Sequence, residues 1–243
     1  MTKRLIAGAL LFLGLHICLV HAAGAERMAL SYCFTLLAPL LGLISCLRFR
    51  NAATSTIAWK WIALCVGCVF WEAGMAIAAW EDLRQINTYH VTATAGFIYF
   101  LFGAPLLLAI CASRNDNRLP AIAWIDGIMA VAIGVLAYLE LFSYLPGLSP
   151  PELQPAATRV AYIYDAENLF LALLASVRLL AAESTQERLF YRAVAVFLWS
   201  YAGTAAFYNH IVELHWNLSV GSPLDAVVDI PFLILAGLAL STP

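Results

Sequence analysis

Charge is what this sequence has least of: Asp, Glu, Lys and Arg make up 12% of its 243 residues, against about 25% in a soluble domain. The formal net charge is −2, and no cluster of Lys and Arg offers a nucleic-acid surface. Soluble-enzyme signatures are missing as well: there is no Gly-rich phosphate loop, no H-E-x-x-H and no G-x-S-x-G. No positioned nucleophile and base stand out, so neither enzymatic activity nor a cofactor is expected. The six cysteines (Cys18, Cys33, Cys46, Cys65, Cys68, Cys111) all lie in apolar runs, where they read as small buried hydrophobes. Cys65 and Cys68 form a C-x-x-C one turn apart, but without a second ligand pair for a metal. Of the five histidines, His90 and His210 are the least implausible haem pair. Both fall near the ends of helical runs, so pocket or surface histidines are expected rather than axial ligands.

What the chain has is apolar residues, 63% of the total, with a mean hydropathy of +0.84. They fall into eight runs, roughly 5–23, 28–47, 60–80, 92–113, 121–144, 160–180, 189–211 and 223–241. About 20 such residues at ~1.5 Å each cross the hydrocarbon of a bilayer. The expected fold is therefore all-α: a polytopic membrane protein forming a single transmembrane helical domain over 1–243. The first run has a rival explanation. Thr2-Lys3-Arg4, an apolar core and Ala23-Gly24-Ala25 together resemble a signal peptide over 1–25, although His16 and His21 are unusual in such a core.

Orientation follows from the cations, which favour cytoplasmic segments. With the N-terminus inside, Lys3, Arg4, Arg48, Arg50, Lys60, Arg114, Arg118, Arg178, Arg188 and Arg192 all fall on the inner side. Only Arg27, Arg84 and Arg159 fall outside. Both termini are expected in the cytoplasm of a cell inner (plasma) membrane. The longest outer loop, Leu145 to Thr158, is Pro-rich and expected to be semi-rigid.

An internal repeat suggests how the runs are grouped. APLLGLISCLR from Ala38 aligns without a gap with APLLLAICASR from Ala104, and weaker matches extend it to the sixth and eighth runs. The matched positions Pro39, Pro105, Phe170 and Pro231 lie 61 to 66 residues apart. Four tandem helical hairpins would result, with Pro bending three of the four returning helices.

The few acids inside these runs carry the functional signal, because a carboxylate at membrane depth costs at least ~2–3 kcal/mol unless it has a partner or water. Asp165 and Glu167 fall early in the sixth run, Asp225 and Asp229 early in the eighth, and Glu72 in the middle of the third. Glu140 lies near the end of the fifth, and Asp126 at its start reads as a packing or capping acid. Asp225 and Asp229 are four apart and share a face; after Ser222-Pro223, Asp225 also reads as part of a helix cap. Asp165 shares a face with Tyr162 and Asn168, while Glu167 points elsewhere with Tyr164. A polar pocket open to the outside, lined by Glu72, Tyr99, Asp165, Glu167, Asp225, Asp229, His90 and His210, is the simplest arrangement that satisfies them.

WIALCVGCVFWEAGMAIAAW, WIDGIMAVAIGVLAYLELF and AYIYDAENLFLALLASVRLL resemble the multi-helix membrane sensory regions of bacterial signalling proteins. Such regions precede a GGDEF diguanylate cyclase, an EAL phosphodiesterase or a histidine kinase domain. The resemblance implies a sensor that relays an outer or intramembrane cue to a cytoplasmic signalling domain or protein, with a homodimer possible. The sequence has no Gly-Gly pair, hence no GGDEF motif, so it implies no catalytic activity here. The expected function is a membrane-embedded sensory or ligand-binding module. A proton or small-solute transporter and a structural subunit of a membrane complex are the alternatives.

Overall fold

A computed structural model describes residues 2–50, 55–84, 93–111, 150–216, 218 and 220–241. The fifth apolar run, with Asp126 and Glu140, and the candidate His90 lie outside the described residues. Every element among the described residues is helical. In chain order they are α1 (Thr2–Ala22), α2 (Arg27–Arg50), α3 (Ser55–Leu83), α4 (Ala93–Leu101), α5 (Gly103–Cys111), α6 (Pro150–Leu180), α7 (Thr185–Ala206) and α8 (Ala226–Ser241). Single 3₁₀ turns precede α2 and α8, and a π-helical segment, Phe207–His215, continues α7. Such a chain has little choice, since in lipid a backbone N–H or C=O must be satisfied inside its own segment.

Among the described residues, five helical stretches are long and apolar enough to cross a membrane: Lys3–Ala22, Gly24–Arg48, Ile57–Leu83, Thr158–Leu180 and Pro223–Ser241. Ala95–Cys111 is apolar but shorter. The fourth expected run is two helices rather than one. Pro105 has no N–H, and its ring clashes with the carbonyl four residues back, at Leu101. The chain breaks at Phe102, whose N–H turns back to the Tyr99 carbonyl at 3.1 Å. Pro39 and Pro231, by contrast, lie inside α2 and α8.

The expected loop over 145–158 is also corrected, because α6 starts at Pro150. Prolines fit the first turn of a helix, where the missing N–H groups have no partner anyway. The seventh run starts sharply for a local reason. Ser184 accepts from the Glu187 N–H at 3.1 Å while the Glu187 carboxylate reaches back to the Ser184 N–H, a capping box.

Helix α8 packs between α2 and α7; α3 packs on α2, α4 and α5 and touches α7; α6 lies against α7 and α5. Helix α1 rests in the groove between α2 and α8. Trp61, Leu64, Phe102, Leu106, Phe197, Leu198, Phe232 and Leu235 fill the centre. Small residues let the backbones approach: an added Cβ on Gly42 of α2 would stand 3.4 Å from the Phe232 carbonyl of α8. The outward surface is apolar, with Leu10, Leu11, Leu173 and Val177 exposed, as expected where lipid replaces water. Three cysteines depart from expectation: Cys18, Cys33 and Cys111 are exposed, while Cys46, Cys65 and Cys68 are buried.

Candidate functional site

Two polar clusters mark opposite ends of the bundle. The first forms where α1 ends and α2 and α8 begin. His16 of α1 meets Asp229 of α8, Nδ1 to Oδ2, at 2.6 Å. Its Nε2 lies 3.2 Å from Ser31 Oγ of α2, and that hydroxyl donates to Asp225 Oδ2 at 2.5 Å. Tyr208, on the π-helical segment, donates to Asp225 Oδ1 at 3.0 Å. Two backbone N–H groups, of Gly221 and Ser222, complete the shell of Asp225 Oδ2 at 2.7 and 3.1 Å. His16 also stacks on Phe34, with centroids 4.8 Å apart.

Local sequence explains the placement. Ser222 and Asp225 form the capping box of the turn Pro223–Asp225, so Asp225 points back across the start of α8. Gly221 adopts a φ of 101°, a conformation that costs an L side chain energy, and its N–H is thereby aimed at the carboxylate. His16, Ser31, Asp225 and Asp229 are each at most 1% exposed. This is a closed cluster and not an outward-open cavity.

Ser31, His16 and Asp229 stand in the order of a nucleophile, base and orienting acid. Ser31 is nevertheless fully buried and gives its hydrogen to Asp225, so it is not poised to attack anything. Asp229 Oδ1 is buried with no hydrogen-bond partner among the described residues.

The other expected site residues are distributed rather than gathered. Asp165 of α6 pairs with His210 of the π segment, Oδ2 to Nε2 at 2.5 Å, and both side chains are about a quarter exposed. The Tyr162 ring lies against His210, tilted by 43° with centroids 4.9 Å apart, on the face expected from its spacing to Asp165. Glu167 and Tyr164 turn together toward α4 and α5: the Glu167 carboxyl lies against Gly103, and Tyr164 donates to the Gly96 carbonyl at 2.8 Å. Glu72 is half-buried on α3, its Oε2 without a hydrogen-bond partner among the described residues. Tyr99 packs edge-on against Trp71 at 5.8 Å and donates to Met75 Sδ at 3.4 Å. Among the described residues these groups occupy separate settings: a buried cluster, a half-open pair, and two acids elsewhere in the bundle.

At the opposite end, where α3 and α7 begin and α5 and α6 finish, Lys60 donates to the Tyr191 hydroxyl at 2.6 Å. Arg178 donates to the same oxygen at 3.3 Å, and Tyr191 donates to the Ile110 carbonyl at 3.4 Å. Lys60 is only 2% exposed. Sequence reasoning missed His16, Ser31, Lys60 and Tyr191 as site residues. For His16 the signal was present, an imidazole alone inside an apolar run; for Lys60 it was masked, because a cation at the edge of a run reads as an interfacial charge. Among the described residues, no three His, Cys, Asp or Glu side chains are placed to hold a metal ion. The chain matches no protein-family model, no curated protein and no solved structure.

Proposed function

We propose that the chain is a membrane-embedded sensory or ligand-binding module that relays a cue from one face of the bilayer to an output partner at the other. The frame is eight spans in four hairpins, with both termini cytoplasmic in an inner (plasma) membrane. The loose resemblance to regions preceding GGDEF, EAL or histidine kinase domains favours a cytoplasmic signalling partner.

One observation carries this reading. Tyr208 and His210 lie two residues apart on the same π-helical segment, and they engage Asp225 and Asp165 respectively. π-helical turns are rare and concentrate at functional sites. A half-open pair that a ligand can reach is thereby joined, through one short irregular segment, to the closed cluster that starts α8. Helix α8 then runs the length of the bundle toward the Lys60 end. A ligand at Asp165 and His210 moves this arrangement only by its differential affinity for two packings.

The test uses the full chain in lipid nanodiscs. Breaking the pair with Asp165→Asn or His210→Gln should change hydrogen–deuterium exchange in residues 226–241, far along the sequence from the substitution. Unchanged exchange there would remove the relay. Solute or proton flux in proteoliposomes, abolished by Asp165→Asn, would favour the transporter instead.

A further inference from the structure

The buried cluster contains one hydrogen more than a neutral imidazole, two hydroxyls and two ionised carboxylates provide. Four hydrogen bonds link Asp229, His16, Ser31, Asp225 and Tyr208 in a row. Each needs its own hydrogen. A neutral imidazole supplies one, the Ser31 hydroxyl one and the Tyr208 hydroxyl one. The fourth has to be an additional proton held between two aspartates.

Its position follows from the acceptor geometry. Asp225 Oδ2 already accepts from the Gly221 and Ser222 N–H groups and from Ser31, which leaves no room for a hydrogen of its own. Ser31 therefore donates to Asp225, His16 Nε2–H donates to Ser31, and the extra proton lies in the 2.6 Å contact between His16 Nδ1 and Asp229 Oδ2. With that proton the group has a summed charge of −1.

We infer that this cluster is a binding site for a single proton, and that the proton fastens α1 to the rest of the bundle. Loss of the proton leaves the imidazole with one N–H for two contacts. The longer contact, 3.2 Å from His16 to Ser31, is the one that fails, and it is the polar tie between α1 and α2. Helix α1 has little else to hold it, since most of its apolar side chains (Ile6, Leu10, Leu11, Leu15) are exposed.

The groups facing His16 are Asp229 and Asp225 from α8 and its leading turn, Ser31 from α2 and Tyr208 from the π segment. Other titratable groups on the elements around it are Lys3, Arg4, Cys18 and His21 of α1, Glu26 and Arg27 at the turn into α2, Cys33, Cys46, Arg48 and Arg50 of α2, His210, Glu213 and His215 of the π segment, and Tyr32 of α2, which donates to Asp82 at 2.5 Å. None of these contributes a hydrogen to the four bonds counted above.

The inference rests on that count and not on the sensory reading, and either can fail alone. The measurement is hydrogen–deuterium exchange of residues 2–22 in the full chain in nanodiscs, corrected for the intrinsic pH dependence of exchange. Residues 185–206 serve as an internal control for the integrity of the bundle. Protection of α1 should fall as pH rises, by up to about tenfold per pH unit, the limit set by one linked proton.

Asp229→Asn should abolish that dependence and keep α1 protected at high pH. The amide N–H then donates to His16 Nδ1, and a neutral imidazole donates to Ser31, so the extra proton is no longer needed. Ser31→Ala should also abolish the dependence, because Asp229 alone is served by a neutral imidazole. If wild-type α1 follows the pH profile of residues 185–206, or if either variant retains the wild-type slope, the proton site is wrong.

Discussion

Lys60 and Tyr191, 131 residues apart in sequence, meet at 2.6 Å in a fully buried contact. The tyrosine hydroxyl is saturated: it accepts from Lys60 and Arg178 and donates to the Ile110 carbonyl, which uses its one hydrogen and both lone pairs. Both cations also lie over the Tyr191 ring, at 4.8 and 5.4 Å from its centroid. One hydroxyl thus ties α3, α5, α6 and α7 together.

Tyr191→Phe should therefore be among the costliest conservative changes in the chain. It takes that oxygen acceptor from a buried ammonium, at a cost of at least about 1–3 kcal/mol, the penalty for leaving a buried donor unsatisfied and larger for a charged one. Lys60→Met removes the charge with its need for an acceptor and should cost about 1 kcal/mol or less, since Tyr191 keeps its other two partners. Unfolding of both variants by SDS titration in mixed micelles gives the comparison. An equal or larger cost for Lys60→Met would mean that the lysine stabilises the bundle in its own right.

Two glycines in neighbouring helices should respond in opposite directions to alanine. A Cβ on Gly67 of α3 would collide with the Leu106 side chain and come within 3.2 Å of the Phe102 carbonyl. Gly67→Ala should cost about 1–3 kcal/mol, as over-packing does. A Cβ on Gly203 of α7 meets nothing within 4 Å, so Gly203→Ala should gain about 0.5–1 kcal/mol through helix propensity. Melting temperatures of the two variants in one detergent, displaced to opposite sides of wild type, are the expected result.

Gly221 is held for a different reason. Its φ of 101° is one that other residues enter at a cost of about 1–3 kcal/mol. An added Cβ would also press to 3.1 Å from Arg27 Cγ and 3.2 Å from the Met28 backbone. Gly221→Ala should destabilise by at least about 1 kcal/mol, and by turning the N–H away from Asp225 it should also loosen the start of α8. Exchange at residues 222–229 should rise more than exchange at 235–241.

These side chains also mark how far the sequence can be read. Hydropathy placed α1, α2, α3, α6 and α8 because span length is a one-dimensional property, and the four-residue spacing of Asp225 and Asp229 put both on one face. Pro105 announced a distortion, but not whether the helix would continue through it, as at Pro39 and Pro231, or break into α4 and α5. Partners were the harder part. An imidazole at position 16 and a carboxylate at 229 are 213 residues apart, and no periodicity connects them; only the nesting of α1 between α2 and α8 does. Among the described residues the expected lining groups do not gather in one place, for a related reason. Acids at similar depth can each be satisfied by a different neighbour, His16 for Asp229 and His210 for Asp165, so equal depth does not imply convergence.

Tyr208 separates the structural role of the closed cluster from mere burial of a ring. Its hydroxyl donates to Asp225 Oδ1 at 3.0 Å, whereas Tyr162 is 62% exposed and meets His210 through its ring at 4.9 Å. Tyr208→Phe leaves the ring in place but takes a donor from a buried carboxylate, at a cost of about 1–3 kcal/mol. Tyr162→Phe keeps the ring contact and should stay within about 0.5 kcal/mol of wild type. Because Tyr208 reaches α8 from the π-helical segment, its variant should also uncouple the two sites: Asp165→Asn should change exchange in residues 226–241 in the wild-type background and much less in Tyr208→Phe. If the response to Asp165→Asn is as large without the hydroxyl as with it, the π segment communicates by some route other than the Tyr208–Asp225 bond.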